Sequence, residues 1–107
     1  MPLDTLKARG RWLELFERYQ ALLTDHQREV LDLHLRSDWS LAEIAEHQGT
    51  SRAAVHDIIR RSNHALADYE QRLGLLAEAQ KRRHALESLE KEVTNLKRRI
   101  VRMEGTI

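Results

Sequence analysis

Apolar residues recur along this chain at spacings of three and four, the period of an α-helix, and no window alternates apolar and polar residues long enough to make a strand. Residues 1–10 end at Gly10 and predict a flexible lead-in holding at most one helical turn. Residues 11–23 predict a first helix, with Leu13, Phe16, Gln20 and Leu23 on one face and Trp12, Leu15, Tyr19 and Leu22 widening it. So broad an apolar surface on a short helix calls for packing on two sides. Thr24 with Gln27 three residues on has capping-box spacing, and a second helix is predicted over 25–36. Val30, Leu31, Leu33, His34 and Leu35 make its apolar side, and His34 reads as a partly buried core histidine. Ser37-Asp38 breaks the pattern, and Trp39 stands where a hydrophobic staple would precede the next cap.

The segment from Ser40 to Arg61, SLAEIAEHQGTSRAAVHDIIRR, organises the rest. Ser40 and Glu43 again have capping-box spacing, and Leu41, Ile44 and Ala45 follow as a short apolar face. Gly49 falls where a tight turn needs positive φ, Ser51 caps the next helix, and Val55, Ile58 and Ile59 form its buried stripe. Counted from the small Ala45, a glycine at +4 and aliphatics at +10 and +13 outline a helix-turn-helix. A plain helical hairpin with a glycine turn would share part of this pattern. Gln48 and Thr50, beside the glycine, stand where such motifs usually bury aliphatics, which predicts a more exposed turn.

The second helix of the motif has no stop signal before Gly74. Apolar positions continue through Ile59, Leu66, Tyr69, Leu73 and Leu76, lapse over Glu78–His84, and resume as a heptad pattern. Leu86, Val93 and Ile100 take position a, and Leu89, Leu96 and Met103 position d. A continuous helix over 52–104 would be ~80 Å long, with a kink near Gly74 or in 78–84. The stripe predicts a homodimeric coiled coil. A parallel pair would set Glu92 against Lys97 and Arg99 against Glu104, an antiparallel pair stays open, and a helix folded back on residues 11–35 is the intramolecular alternative. The expected class is therefore all-α, a helix-turn-helix bundle over 11–76 followed by a helical extension over 77–107.

Composition narrows the function. There is no cysteine, which excludes disulfides and thiolate metal sites. No apolar run approaches the ~20 residues of a membrane span, and no basic-then-apolar leader is present, so a cytoplasmic protein without membrane partners is expected. The six histidines form neither an HExxH pattern nor an i, i+4 pair, and no nucleophile elbow or glycine-rich phosphate loop occurs. The expectation is no enzyme, no metal and no cofactor.

Charge carries more information by position than by sum, which is +1. Residues 1–39 hold six Lys/Arg against seven Asp/Glu, residues 40–72 four against five, and residues 73–107 eight against five. The positive excess thus lies outside the motif, although phosphate neutralisation dominates nucleic-acid affinity. Within the motif, the start of the second helix would face a groove with Ser51, Arg52, His56, Arg60 and Arg61, while Asp57 would repel phosphate. Lys81-Arg82-Arg83 and Lys97-Arg98-Arg99 are two further candidate nucleic-acid contacts, RNA included. A solvated helix surface would present the same residues.

Two sets of residues carry a resemblance. LLTDHQREVLDLHL followed by SLAEIAEHQGTSRAAVHDIIRR resembles region 4 of bacterial sigma factors, a DNA-reading helix-turn-helix. RYQALLTDHQREVLDLHLRSDWSLAEIA with SRAAVHDIIRRSNHALADYEQRLGL resembles the YlxM family of small bacterial proteins over about residues 11–76. That resemblance implies an all-helical, sigma-region-4-like fold and an accessory or regulatory role at the signal recognition particle, through its RNA and its GTPase subunit. A sequence-specific DNA-binding transcriptional regulator is the alternative, and a dimerising scaffold without nucleic-acid activity is a third reading.

Overall fold

A computed structural model describes residues 3–105, with side chains from Lys7 onward, and all of its regular structure is helical. Five α-helices follow in order: α1 (Leu3–Tyr19), α2 (Asp25–Leu31), α3 (Leu41–Gln48), α4 (Arg52–Leu73) and α5 (Leu75–Gly105). Tertiary contacts divide the chain into residues 1–76 and residues 77–107. The first unit is a helical bundle that includes the opening turn of α5, and the second is the remainder of α5.

In the bundle α4 is the common neighbour, packing against α1, α2 and α3. Its buried residues Val55, Ile59, Ser62 and Leu66 recur at three and four and line one side. Against them lie Leu15, Phe16, Tyr19 and Leu23 from α1 and the turn after it, Val30 and Leu31 from α2, Leu35 from the turn that follows α2, and Ile44 and Ala45 from α3. Ser62 is fully buried, yet its hydroxyl donates to the Ile58 carbonyl at 2.7 Å, so the small side chain permits close packing without an unpaired donor.

The capping boxes at Thr24–Gln27 and Ser40–Glu43 form with both reciprocal hydrogen bonds, and Ser51 accepts from the Ala54 N–H. Gly49 ends α3 at φ 68°, and Thr50 N–H returns to the Ala45 carbonyl to close the turn. Gln48, which replaces a buried aliphatic, donates to Glu29 at 3.1 Å, while Thr50 is exposed. The polar turn is thereby tied to α2 through a side-chain bond.

Several expectations are corrected. Helix α1 begins at Leu3 and runs through Gly10, so the lead-in expected over residues 1–10 is helical from there. Arg9 explains part of this: its guanidinium donates to both the His34 carbonyl and Asp38 Oδ1, each at 2.7 Å. The segment after α1 tightens into a 3-10 turn, Gln20–Leu22, leaving Leu22 53% exposed instead of buried. The helix predicted over 25–36 ends in a π-turn, Asp32–Arg36, and Asp38 takes φ 59°, which Asp tolerates better than most residues. Of the two places where the sequence allowed a kink in 52–104, the break falls at Gly74, which stops α4 at φ 62°, whereas the polar stretch 78–84 is helical throughout.

The Gly74 break is held by side chains. Tyr19, 1% exposed, donates its hydroxyl proton to Glu70 and accepts from Leu75 N–H at 3.0 Å, while Glu70 Oε1 accepts from Leu76 N–H at 3.0 Å. Two of the N–H groups that a helix start leaves unsatisfied thus find partners from α1 and α4. Burial, then the bond to Glu70, push the Tyr19 phenol above its ordinary pKa, so it stays a neutral donor.

Truncating Leu66 to Ala should destabilise the bundle by about 2–5 kcal/mol, whereas truncating Leu73, 51% exposed, should change stability by less than about 0.5 kcal/mol. Urea unfolding followed by circular dichroism measures both. His34 supplies a pH dependence. Burial, opposed by the Trp39 main chain and assisted by the Arg9 charge, holds its imidazole below the ordinary range, and Nδ1 has no protein partner. The unfolded chain then binds a proton that the folded chain refuses, so stability should fall as pH drops below about 6.5 and level off below the folded-state value. Urea midpoints from pH 7.5 to 5 should fall less in His34→Gln than in the wild type.

Candidate nucleic-acid interface

The outward side of the motif follows from the inward one. With Val55 and Ile59 buried, the opening turns of α4 present Ser51, Arg52, Ala53, His56, Arg60 and Arg61 to solvent. Arg52, His56 and Arg60 are spaced by four, so they share one stripe along about 12 Å of helix. Arg52 stands at the first helical position and has no ion-pair partner among the described residues. The Ser51 oxygen is already used as the cap, which leaves its O–H proton for an acceptor outside the chain.

Arg60 and Arg61 differ from this picture. Both are paired to Asp57, Arg60 through Oδ1 at 2.8 Å and Arg61 through Oδ2 at 2.9 Å. The i, i+3 and i, i+4 spacings place both guanidinium groups beside the one carboxylate. The Arg60 hydrogen bond is the largest cause holding Asp57 below the usual carboxylate range; desolvation opposes it, and the Arg61 and Arg60 charges add to the lowering. Asp57 therefore does more than repel a phosphate at long range: it occupies two of the three arginines meant to attract one. Its spacing was readable in the sequence, where it figured only as an opposing charge.

The remaining sequence candidates, Lys81, Arg82 and Arg83 and then Lys97, Arg98 and Arg99, are exposed on α5. Consecutive residues point ~100° apart on a helix, so neither triplet forms one flat patch. Arg102, one turn beyond Arg98, extends the second cluster along its side, a contribution that i, i+4 spacing marks and the sequence candidates omit. Among the described residues no group of three or more His, Cys, Asp or Glu side chains could hold a metal, and no helix is long and apolar enough to cross a membrane.

This geometry generates a direct test. Asp57→Asn removes one negative charge and leaves both arginines to external anions. Its affinity for random-sequence duplex DNA should rise several-fold, about 3–10-fold at low salt, and the slope of log K against log[salt] should steepen by about one. Arg52→Ala should move both quantities the opposite way. Fluorescence anisotropy across a salt series measures both.

Comparison with known proteins supports the same architecture. Residues 6–105 match the family described as "Putative helix-turn-helix protein, YlxM / p13 like", UPF0122, a description that names no catalytic activity. A UPF0122 protein of Symbiobacterium thermophilum is 51% identical over 76 residues, 71% of this chain and 71% of its own. A second, from Halalkalibacterium halodurans, is 46% identical over 79 residues, 74% of this chain and 72% of its own. A third, from Exiguobacterium, is 40% identical over 89 residues, 83% of each chain. With nearly its whole length matched, and with the helix-turn-helix in place at Leu41–Gln48 and Arg52–Leu73, this chain belongs to the UPF0122 family of YlxM / p13-like helix-turn-helix proteins.

Proposed function

We propose that this protein is an accessory factor of the signal recognition particle pathway, binding the particle's RNA and its GTPase subunit with its helix-turn-helix domain and the basic clusters of α5. The observation that carries this reading is the layout of charge. The motif's own recognition side is partly neutralised by Asp57, while the positive excess lies in residues 73–107. A DNA reader concentrates cations where its helix enters the groove, because phosphate contacts supply most of the affinity. A protein that meets a folded RNA and a protein partner has no such requirement, since RNA is recognised by shape and backbone over scattered surfaces. The resemblance to YlxM-like proteins implies the same role, while the family description itself names no ligand.

A second reading rests on a specific feature. Arg52, His56 and Arg60 share one outward stripe at the start of α4, where a helix-turn-helix contacts base edges. A sequence-specific transcriptional regulator would use Arg52 against a guanine edge.

The two readings separate in a competition experiment with the full chain at physiological salt. Labelled particle RNA should bind at least about tenfold tighter than random duplex of equal length, because the basic clusters follow an RNA backbone. Alanine replacement of Lys81, Arg82 and Arg83, or of Lys97, Arg98 and Arg99, should weaken RNA binding about 5–10-fold and flatten its salt slope. Purified GTPase subunit should be retained by the wild-type protein. If RNA shows no advantage and a duplex selected from genomic DNA binds ~10³ times tighter than random sequence, the regulator reading replaces this one.

A further inference from the structure

Residues 77–105 are a single helix with an apolar stripe. Leu86, Leu89, Val93, Leu96, Ile100 and Met103 are each between 47% and 68% exposed. Their spacings of three and four align them along one side. The stripe is narrow. Apart from Val101, the positions between its members are polar or charged: Glu87 and Ser88, Lys91, Thr94 and Asn95, Arg98, Arg102. A helix that docks on a globular surface carries a broader apolar face, while a seam two positions wide is what a second helix of the same kind covers. We propose that a second copy of this chain covers the stripe, forming a parallel two-stranded coiled coil over residues 86–103.

Three features support a second copy as the occupant, and the first of them also the parallel orientation. First, positions a are Leu86, Val93 and Ile100 and positions d are Leu89, Leu96 and Met103; at Val93 and Ile100 with Leu89 and Leu96 the seam has β-branched residues at a and leucine at d, the pattern that favours two parallel strands, and Leu86 and Met103 at its ends depart from it. Second, the flanking charges complement themselves. In a parallel pair Glu92 at g faces Lys97 at e′, and Arg99 at g faces Glu104 at e′. The preceding pair, Ala85 with Glu90, is neutral to charge, so no like charges oppose each other. Among the described residues none of Glu92, Lys97, Arg99 and Glu104 makes an ion pair within its own chain, which leaves all four for the partner. Third, the seam has a defined start. Extending the heptads backward puts Ala79 at a and Arg82 at d, so the apolar seam stops at Leu86 although the helix itself continues unbroken. The polar stretch 78–84 thereby limits the paired segment.

The proposal is independent of the RNA reading, and its test reads mass alone. In sedimentation equilibrium of the full chain, wild-type protein at about 10–200 µM should approach twice the 12.6 kDa chain mass, as expected of three heptads near the lower limit for association. Leu89→Glu with Leu96→Glu should lower dimer affinity at least ~100-fold by placing charges in the seam. Both positions are exposed within the chain, so the helical circular dichroism of the bundle should persist. Orientation is decided by a charge swap. Glu92→Lys alone and Lys97→Glu alone should each weaken the dimer, by about tenfold if the usual exposed ion-pair energies apply at both symmetric sites. Combined, they should restore it, because the swapped charges again oppose in a parallel pair. In an antiparallel pair the new cation at position 92 would meet Arg99, and the new anion at position 97 would meet Glu90. The double variant would then be weaker than either single one. A monomer at the top of that concentration range, or a dimer indifferent to the two leucine substitutions, overturns the proposal. A double variant weaker than both singles overturns the parallel orientation.

Discussion

Every helix of the bundle depends on one side of α4. Val55, Ile59, Ser62 and Leu66 form a strip that α1, α2 and α3 all require, and no other element among the described residues offers a comparable surface. In a chain of this size the core is small, and small domains bury a lower fraction of their surface than large ones. A single helix that serves as common floor cannot rotate. A turn of ~100° would exchange Val55 for His56, exposing aliphatics and burying an imidazole. The constraint that stabilises the fold therefore also sets the recognition side, and Arg52, His56 and Arg60 face outward because Val55 and Ile59 must not.

That inheritance limits how the outer side can be tuned. Residues on it are exposed, so their mutual interactions are worth little to stability. Asp57 stands on the border of the two sides, close enough to α4's first three turns to hold both Arg60 and Arg61. Its effect is on recognition. Paired to one carboxylate, the two arginines present a net charge of +1 to a distant phosphate where two free ones would present +2, and exposed charges beyond about 8 Å are largely screened at physiological salt. Among the described residues no lysine or arginine of α5 is held in an ion pair of this kind, and the basic excess of the chain lies there, eight Lys/Arg against five Asp/Glu over 73–107.

What could be read from the sequence was local. The two capping boxes, the Ser51 cap and the left-handed Gly49 each depend on residues three or four apart, and all four appear in the structure as the spacing implies. The spacing of Val55 and Ile59 likewise identified the buried side of α4. Ile58 is only partly buried, since one stripe cannot hold two adjacent residues equally. The failures were of longer range. Leu22 belongs to the apolar pattern of its helix, but the chain has already tightened into a 3-10 turn there, which rotates it out of register. Nothing near Arg9 announces its partners, which lie 25 and 29 residues away. The candidate site divided the same way: which side chains face outward followed from periodicity, while the pairing of both arginines to Asp57 needed rotamers as well as spacing.

The junction at Gly74 combines both kinds of information. Glycine marked a break there, and so did the charged run at 78–84, and the sequence had no means of ranking them. A polar run does not stop a helix, because Lys, Arg, Glu and Gln are good helix formers. Glycine stops one only where something else makes the left-handed conformation preferable to continuing. Gly10 lies inside α1 and stops nothing. At Gly74 the difference is Tyr19 and Glu70, whose oxygens accept the Leu75 and Leu76 N–H groups that a continuous helix would have bonded to its own carbonyls. The buried phenol, kept neutral by its surroundings, is positioned by α1, and Glu70 by α4. The start of α5 is thus specified by the packed bundle and cannot be assigned from its own residues, while the remainder of that helix carries the seam and the cations in a sequence that needs only to stay helical.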